Sequence, residues 1–189
     1  EYTGEKIGSK LERTREVMKE NGCNAHVLSS LDDIAWLLNI RGNDIAYCPL
    51  VLSYAIVYNN SVELFADIRK FSDDIINLLA ENQVKIYPYE DIYRKVSEMT
   101  SEDKLLLDSS IMNYSLYQAI SKETVIVDKQ NPEILMKSVK NETQAENLRK
   151  AHLKDAVAHT KFMYWLKKNV GKIPMDEVSV SAVSYTHLR

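Results

Sequence analysis

The stretch SSLDDIAWLLNIRGND, residues 29–44, decides how the surrounding chain is interpreted. Ser30 precedes Asp33 by three positions, and an apolar run follows at once: Ile34, Ala35, Trp36, Leu37 and Leu38. A serine and an acidic residue at this spacing, directly ahead of apolar residues, predict a capping-box-like start to a short buried helix.

The helix gives way to a loop, residues 40–44, that packing alone does not explain. Gly42 and Asn43 tolerate the positive φ of a tight loop, whereas the charges of Arg41 and Asp44 are not needed for a turn. An exposed loop with charged residues, held by a rigid apolar helix, is a common location for a functional site. Arg41 and Asp44 are therefore our candidate contacts with a substrate or with another domain. In the alternative interpretation they pair with each other and only hold the turn.

Composition narrows the class of protein. The chain has 189 residues, of which 45% are hydrophobic and 27% charged, as is typical of a globular protein with a sizeable core. A net charge of -3 with interspersed signs offers no basic stripe, so we expect no nucleic-acid partner. Cys23 and Cys48 lack CxxC spacing and are predicted to be reduced. No apolar run approaches the roughly 20 residues of a membrane span, and the start of the chain lacks a signal-peptide layout. We expect a cytoplasmic protein with no membrane partner.

Strand and helix patterns alternate along most of the chain. An amphipathic helix is predicted over residues 5–21 with Gly22 as its cap, and two apolar runs flank the hairpin turn Asn59-Asn60-Ser61. Further short strands are separated by helices of about ten residues; in all, we predict strands at 25–28, 49–58, 62–68, 84–87, 105–107 and 124–127. The pattern predicts an α/β fold with a mixed, mostly parallel sheet and helices on both faces, followed by long C-terminal helices.

The character of the sequence changes at Asn131-Pro132, an N-cap followed by a favoured first helical residue. Asn141 and Gln144 restart the helix, which runs on to Val170 with apolar side chains on more than one side. We therefore expect a boundary between residues 1–130 and 131–189, and burial of the long helix on more than one side, for which the chain provides few partners.

Several short segments of this sequence resemble segments of a known family. LDDIAWLLNIRGND, residues 31–44, is similar to a segment of the middle domain of three-domain aminopeptidase P, the Xaa-Pro aminopeptidases. Four other segments also resemble segments of that family, and they occur in the same order: EYTG at 1–4, the run at 49–57, KSVKN at 137–141 and RKAHLKDAVA at 149–158. The resemblance implies a middle creatinase/prolidase N-terminal-like domain over 1–130 and a truncated start of the metallopeptidase catalytic domain over 131–189. Residues 183–189 do not resemble the family's continuation, and we interpret them as a foreign tail.

The resemblance also implies a function for the parent enzyme. It would release the N-terminal residue that precedes proline, with two metal ions, usually manganese, that activate a water. The family's metal ligands are two Asp, one His and two Glu, and they lie in the peptidase domain beyond the segments that match this chain. We therefore expect this chain to hold no cofactor and to be non-catalytic, shaping the substrate cleft and the domain packing of a homodimer that takes proline-containing peptides. The alternative is a peptidase-like binding module without metal ligands.

One helical trio could suggest a metal site. His152, Asp155 and His159 are spaced i, i+3 and i+7, so they share a face of the long helix. No HExxH-type motif accompanies them. The competing interpretation makes His152 a packing residue and places the other two toward solvent or partner chain.

Two further acidic groups have residue types that could take part in acid/base or nucleophilic chemistry. Asp32 and Asp33 could form an acid/base pair, but first-turn charges on a helix explain both their type and their place. The run at 108–110, Asp-Ser-Ser, has no histidine nearby in sequence and is typical of a strand-end turn. The sequence therefore predicts no catalytic residue and no metal ligand in this chain, which leaves Arg41 and Asp44.

Overall fold

The computed structural model describes residues 2–188, with side chains described up to residue 184. The chain divides into two compact units. Glu5–Val139 form the first, here called the sheet unit, and Lys140–Arg189 together with Glu1–Gly4 form the second, the helical unit.

A six-stranded sheet lies at the centre of the sheet unit. Its strands are β1 (Ala25–Leu28), β2 (Tyr54–Tyr58), β3 (Val62–Phe65), β4 (Val84–Tyr87), β5 (Lys104–Leu107) and β6 (Val125–Asp128). The spatial order is β4-β3-β2-β1-β5-β6. β2 pairs antiparallel with β1 and β3, and the other neighbours pair parallel. The predicted mixed, mostly parallel sheet is confirmed, and the antiparallel hairpin turns at the predicted residues 59–61.

Helices cover both faces of this sheet, as predicted. They are α1 (Ile7–Glu20), α2 (Leu31–Leu37), α3 (Asp73–Glu81), α4 (Asp91–Ser97), α5 (Tyr114–Ala119) and α6 (Pro132–Ser138), with a 3-10 turn at Ile68–Lys70. Alternate residues of β2 point to opposite faces. Ala55 and Val57 pack in a core with side chains of α1, α2 and α3, whereas Tyr54 and Ile56 pack in a second core with α4 and α5.

The start of α2 differs from the prediction in one respect. Ser30 occupies the N-cap position, but its hydroxyl donates to the Asp32 carboxylate at 2.6 Å and makes no side-chain cap. Asp33 is fully buried and accepts from Lys137 Nζ at 2.5 Å and Asn131 Nδ2 at 3.1 Å. The predicted capping box is therefore wrong, because the acidic side chain binds α6 instead of its own helix end.

α6 belongs to the sheet unit, which ends at Val139, while the domain boundary between residues 130 and 131 stays a prediction. The physical reason for the place of α6 is polar burial. Glu133 of α6 is fully buried and contacts His26 of β1 and Thr14 of α1. A buried carboxylate must be paired, so α6 packs where its partners lie.

The helical unit contains α7 (Glu142–Asn169) and α8 (Glu177–Leu188), which contact each other. The predicted cap is confirmed, since Asn141 and Gln144 form a reciprocal capping box. Along α7, Ala158 is buried, Phe162 and Trp165 are half-buried with ring centroids 6.3 Å apart, and Leu153 and Tyr164 stay 69% and 68% exposed. Burial on more than one side of α7 is thus not found among the described residues. The interpretation of 183–189 as a foreign tail falls mainly on residues 185–189, which lie outside the described side chains.

Candidate functional site

The segment after α2, residues 39–52, folds back on itself and is here called the α2 loop. The Gly42 amide donates to the Pro49 carbonyl at 3.3 Å, and the Asp44 amide donates to the Leu50 carbonyl at 3.2 Å. These bonds explain why β2 begins at Tyr54 and not at Pro49. Gly42 is required for the close approach, because a Cβ there would lie 2.5 Å from Val51 Cγ2.

Arg41 binds the end of α2. Its Nη1 donates to the carbonyls of Ala35 at 2.8 Å and Ile40 at 2.7 Å. The last carbonyls of a helix have no partner within the helix, and the helix dipole favours a cation there. Arg41 is nonetheless an exposed residue, so the same side chain caps the helix and meets the surroundings.

Asp44 joins the α2 loop to the 3-10 turn that follows β3. Its Oδ2 accepts from the Leu52 amide at 2.7 Å and from Lys70 Nζ at 2.8 Å. The hydrogen bond from Lys70, with that from Leu52, holds the pKa of the Asp44 carboxyl below its usual range. Among the described contacts Arg41 and Asp44 do not pair with each other. The pairing that the alternative interpretation invoked is therefore not found, and each residue has a separate set of partners.

Apolar side chains are exposed in the segments that Asp44 connects. Ile45 is 38% exposed, Tyr47 88%, Leu52 42% and Ile68 52%. We call these four residues the loop patch. A contiguous exposed apolar patch with a polar rim marks an interaction site, whereas single exposed apolar residues are ordinary.

Buried Lys10 binds the end of α2, and sequence reasoning did not predict this contact. It is fully buried, and its Nζ donates to the Trp36 carbonyl and to Asn39 Oδ1, each at 2.6 Å, while lying 4.5 Å from the centre of the Trp36 ring. Burial lowers the pKa of Lys10 to about 8, with Arg41 and Arg13 acting in the same direction and Glu5 opposing them. A signal was available: position 10 falls on the apolar stripe of α1.

A buried histidine–glutamate pair was also missed. His26 Nδ1 lies 3.0 Å from the Leu106 carbonyl, and its Nε2 lies 3.2 Å from Glu133 Oε2. Both neighbours are acceptors, so the site favours the imidazolium, the form of the ring in which both nitrogens donate. Burial opposes that charge, yet the Glu133 carboxylate raises the pKa of His26. Burial likewise opposes the carboxylate, and the His26 charge lowers the pKa of Glu133.

The other acidic candidates have structural partners. Lys137 donates to both Asp32 and Asp33, so these carboxylates join α2 to α6. In the 108–110 turn, Ser110 Oγ donates to Asp108 and Ser109 Oγ donates to Asp128, each at 2.5 Å. These contacts agree with the structural interpretation of both groups.

The described residues do not assemble a metal centre. His152, Asp155 and His159 are all exposed along α7. Within the described part of the chain, no three His, Cys, Asp or Glu side chains come together in a way that could hold a metal ion. The described residues therefore do not fit a pair of metal ions. In the same part of the chain, no helix combines the length and the apolar character that a membrane span requires.

Comparison with known proteins identifies what the chain resembles. Residues 1–144 match the family model of the creatinase/prolidase N-terminal domain. Xaa-Pro aminopeptidase 1 of Dictyostelium discoideum is 34% identical over 89% of this chain, and Xaa-Pro aminopeptidase 2 of Mus musculus is 35% identical over 95% of it. The chain spans only 27% and 28% of the length of these relatives.

Solved structures agree in fold. An X-prolyl aminopeptidase from Caenorhabditis elegans, described as a cytosolic enzyme with a di-nuclear active site, superposes with a TM-score of 0.85 and 29% identity, over 100% of this chain and 31% of that one. An Xaa-Pro dipeptidase from Bacillus anthracis shares the fold, with a TM-score of 0.67 and 17% identity over 97% of this chain and 49% of its own. With the family match over residues 1–144, this chain belongs to the creatinase/prolidase N-terminal domain family.

Proposed function

We propose that this chain is the cleft-shaping, non-catalytic part of an Xaa-Pro aminopeptidase. The parent enzyme releases the N-terminal residue that precedes proline. Similarity to Xaa-Pro aminopeptidases over 89% and 95% of the chain supports the assignment to this class of peptidase.

The main support for a cleft-shaping role of this chain is the structure of the α2 loop. Exposed Arg41 is held on the end of α2, and Asp44 ties the loop patch to Lys70. A guanidinium with five donors suits a peptide carbonyl or carboxylate, or a carboxylate of a neighbouring domain. Arg41 thus orients a substrate or a domain against the α2 loop, and Asp44 keeps that loop in place.

The chemistry itself belongs to a part of the parent outside this chain. Two metal ions, which we propose to be manganese, would supply a nucleophilic water there. The description of the C. elegans structure as di-nuclear and cytosolic supports two metals and a cytoplasmic location. We further propose that the parent is a homodimer and acts on proline-containing peptides.

The test is a peptidase assay of the complete parent protein on an Xaa-Pro peptide, with and without manganese. We expect metal-dependent release of the first residue. Arg41→Ala should lower kcat/KM about tenfold or more, since a charge-assisted hydrogen bond contributes roughly 1.5–3 kcal/mol. The variant also loses the hydrogen bonds to the carbonyls of Ala35 and Ile40, so the thermal midpoint should fall by a few degrees, and turnover is compared well below it.

Arg69→Ala is the matched control. Its guanidinium is also exposed and is paired with Asp67 at 2.6 Å, so its loss should leave turnover unchanged. Normal turnover and normal dimer content in Arg41→Ala would contradict the role of Arg41. Inactivity of the complete protein with manganese present would instead favour the peptidase-like binding module.

A further inference from the structure

We propose that Lys10 is the positioning residue that sets the α2 loop and, through it, Arg41. The relevance of Lys10 to catalysis rests on the function proposed above for Arg41. The contacts of Lys10 itself lie within the sheet unit and do not depend on that function.

The ammonium of Lys10 is fully occupied. It donates to the Trp36 carbonyl and to Asn39 Oδ1 and lies over the Trp36 ring. A buried cation with only part of these partners would be costly, so the three contacts act together to define where α2 ends. Because Lys10 lies on α1, the end of α2 is fixed by a separate and much longer helix.

Asn39 passes this constraint to the α2 loop. Its Oδ1 accepts from Lys10, and its Nδ2 donates to the Glu5 carbonyl at 3.0 Å. Its backbone is left-handed, with φ at 54°. Since both ends of the amide are bound, the side chain holds the residue in a conformation that sets the direction of the loop. Arg41 follows two residues later.

Two cations therefore bind neighbouring carbonyls at the same helix end. Lys10 takes the carbonyl of Trp36, and Arg41 takes that of Ala35. α2 has only seven residues, and so short a helix gains little stability from its own hydrogen bonds. The external partners at its last turn consequently decide whether Ala35 O remains in place for Arg41.

The test is residue-resolved hydrogen exchange on the 189-residue chain. In Lys10→Met we expect exchange of the Gly42 and Asp44 amides, which close the α2 loop, to accelerate about tenfold or more, corrected for intrinsic rates. The buried Ile56 amide of β2 should change less than about threefold. A merely structural role of Lys10 would accelerate all three amides equally, and that result would overturn the proposal.

Two further variants complete the test. Asn39→Gly keeps the left-handed backbone accessible but removes the amide oxygen that accepts from Lys10. It should therefore also accelerate exchange of the Gly42 and Asp44 amides. This variant tests the proposal if Lys10→Met does not fold. Lys19→Met alters an exposed lysine of the same helix and should change nothing. Unchanged loop exchange in Asn39→Gly would also overturn the proposal. A null effect of Arg41→Ala on peptide turnover would refute the proposed function alone and leave the exchange result standing.

Discussion

The two ends of α2 carry charges of opposite sign, acidic side chains at the first turn and bound cations at the last, and the two sets of contacts differ in burial. At the first turn, Asp32 and Asp33 bind Lys137 of α6. At the last turn, the carbonyls bind Lys10 and Arg41. Both arrangements agree with the helix dipole, which favours anions at the start and cations at the end. The first end is closed by another helix, whereas the second opens into an exposed loop. One short helix thus has one end packed against another helix, the anchored end, and one end, the open end, that Lys10 and Arg41 bind and that leads into the exposed loop.

The largest expected effect is at the anchored end. Lys137→Met removes the cation that faces the fully buried Asp33 carboxylate, so the free energy of unfolding should fall by about 3 kcal/mol or more. Urea denaturation would measure it. Asp32→Asn is the matched control, since Asp32 binds the same lysine but its side chain is 59% exposed, and its loss should cost less than about 1 kcal/mol. Equal costs in the two variants would mean that burial does not distinguish the two carboxylates.

A smaller effect is expected at the open end. Gly42→Ala would place a Cβ 2.5 Å from Val51 Cγ2, so the α2 loop must shift, at a cost of about 1–3 kcal/mol. Gly8→Ala is the control, because the nearest atom to its Cβ would be 3.6 Å away and alanine favours the helix. That substitution should stabilise the protein by about 0.5–1 kcal/mol. A neutral Gly42→Ala in thermal denaturation would show that the loop is not held closely against Val51.

The most gradual effect is the pH dependence of the pair that holds α6 beside the anchored end. The raised pKa of His26 means that its contribution is complete below about 6.5 and is lost as the pH rises through the folded pKa, by up to about 1.4 kcal/mol per pH unit. The lowered pKa of Glu133 means that its contribution is lost as the pH falls from about 4.5 through the folded pKa.

Denaturation midpoints measured across this range would check both signs. The double variant His26→Phe with Glu133→Leu removes both groups and should lose their share of each slope, while the acid slope due to the lowered pKa of Asp44 remains. If wild type and the double variant had the same profile above pH 6.5, the imidazolium assignment would be contradicted.

Much of the fold could be predicted because its signals are local. The strand Ala25–Leu28 lies at the predicted residues, and the hairpin turns at 59–61, where asparagines and serine favour a turn. The cap of α7 follows from Asn141 and Gln144 alone. The α2 loop is recognisable from a local signal of the same kind, since the charged residues Arg41 and Asp44 stand in a turn that needs no charge to form. Whether these two residues contact a substrate or a domain stays a prediction.

The partners of the charged groups could not be predicted. Arg41 and Asp44 are three residues apart, yet one binds the end of α2 and the other binds Lys70. Asp33 matched a cap by spacing but is buried against α6. Spacing along the chain gives the direction of a side chain on its own element, but the contact depends on what packs opposite.

The sequence by itself determined the order of strands and helices, the turns and the candidate loop, because periodicity, capping and turn chemistry act over a few residues. Only the tertiary structure decided that Lys10, His26, Asp33 and Glu133 are buried and paired. The bonds from Lys10 to Trp36 and from Thr14 to Glu133 span 26 and 119 positions. Such contacts form only when the sheet brings distant elements together, and burial then makes each charge depend on its partner.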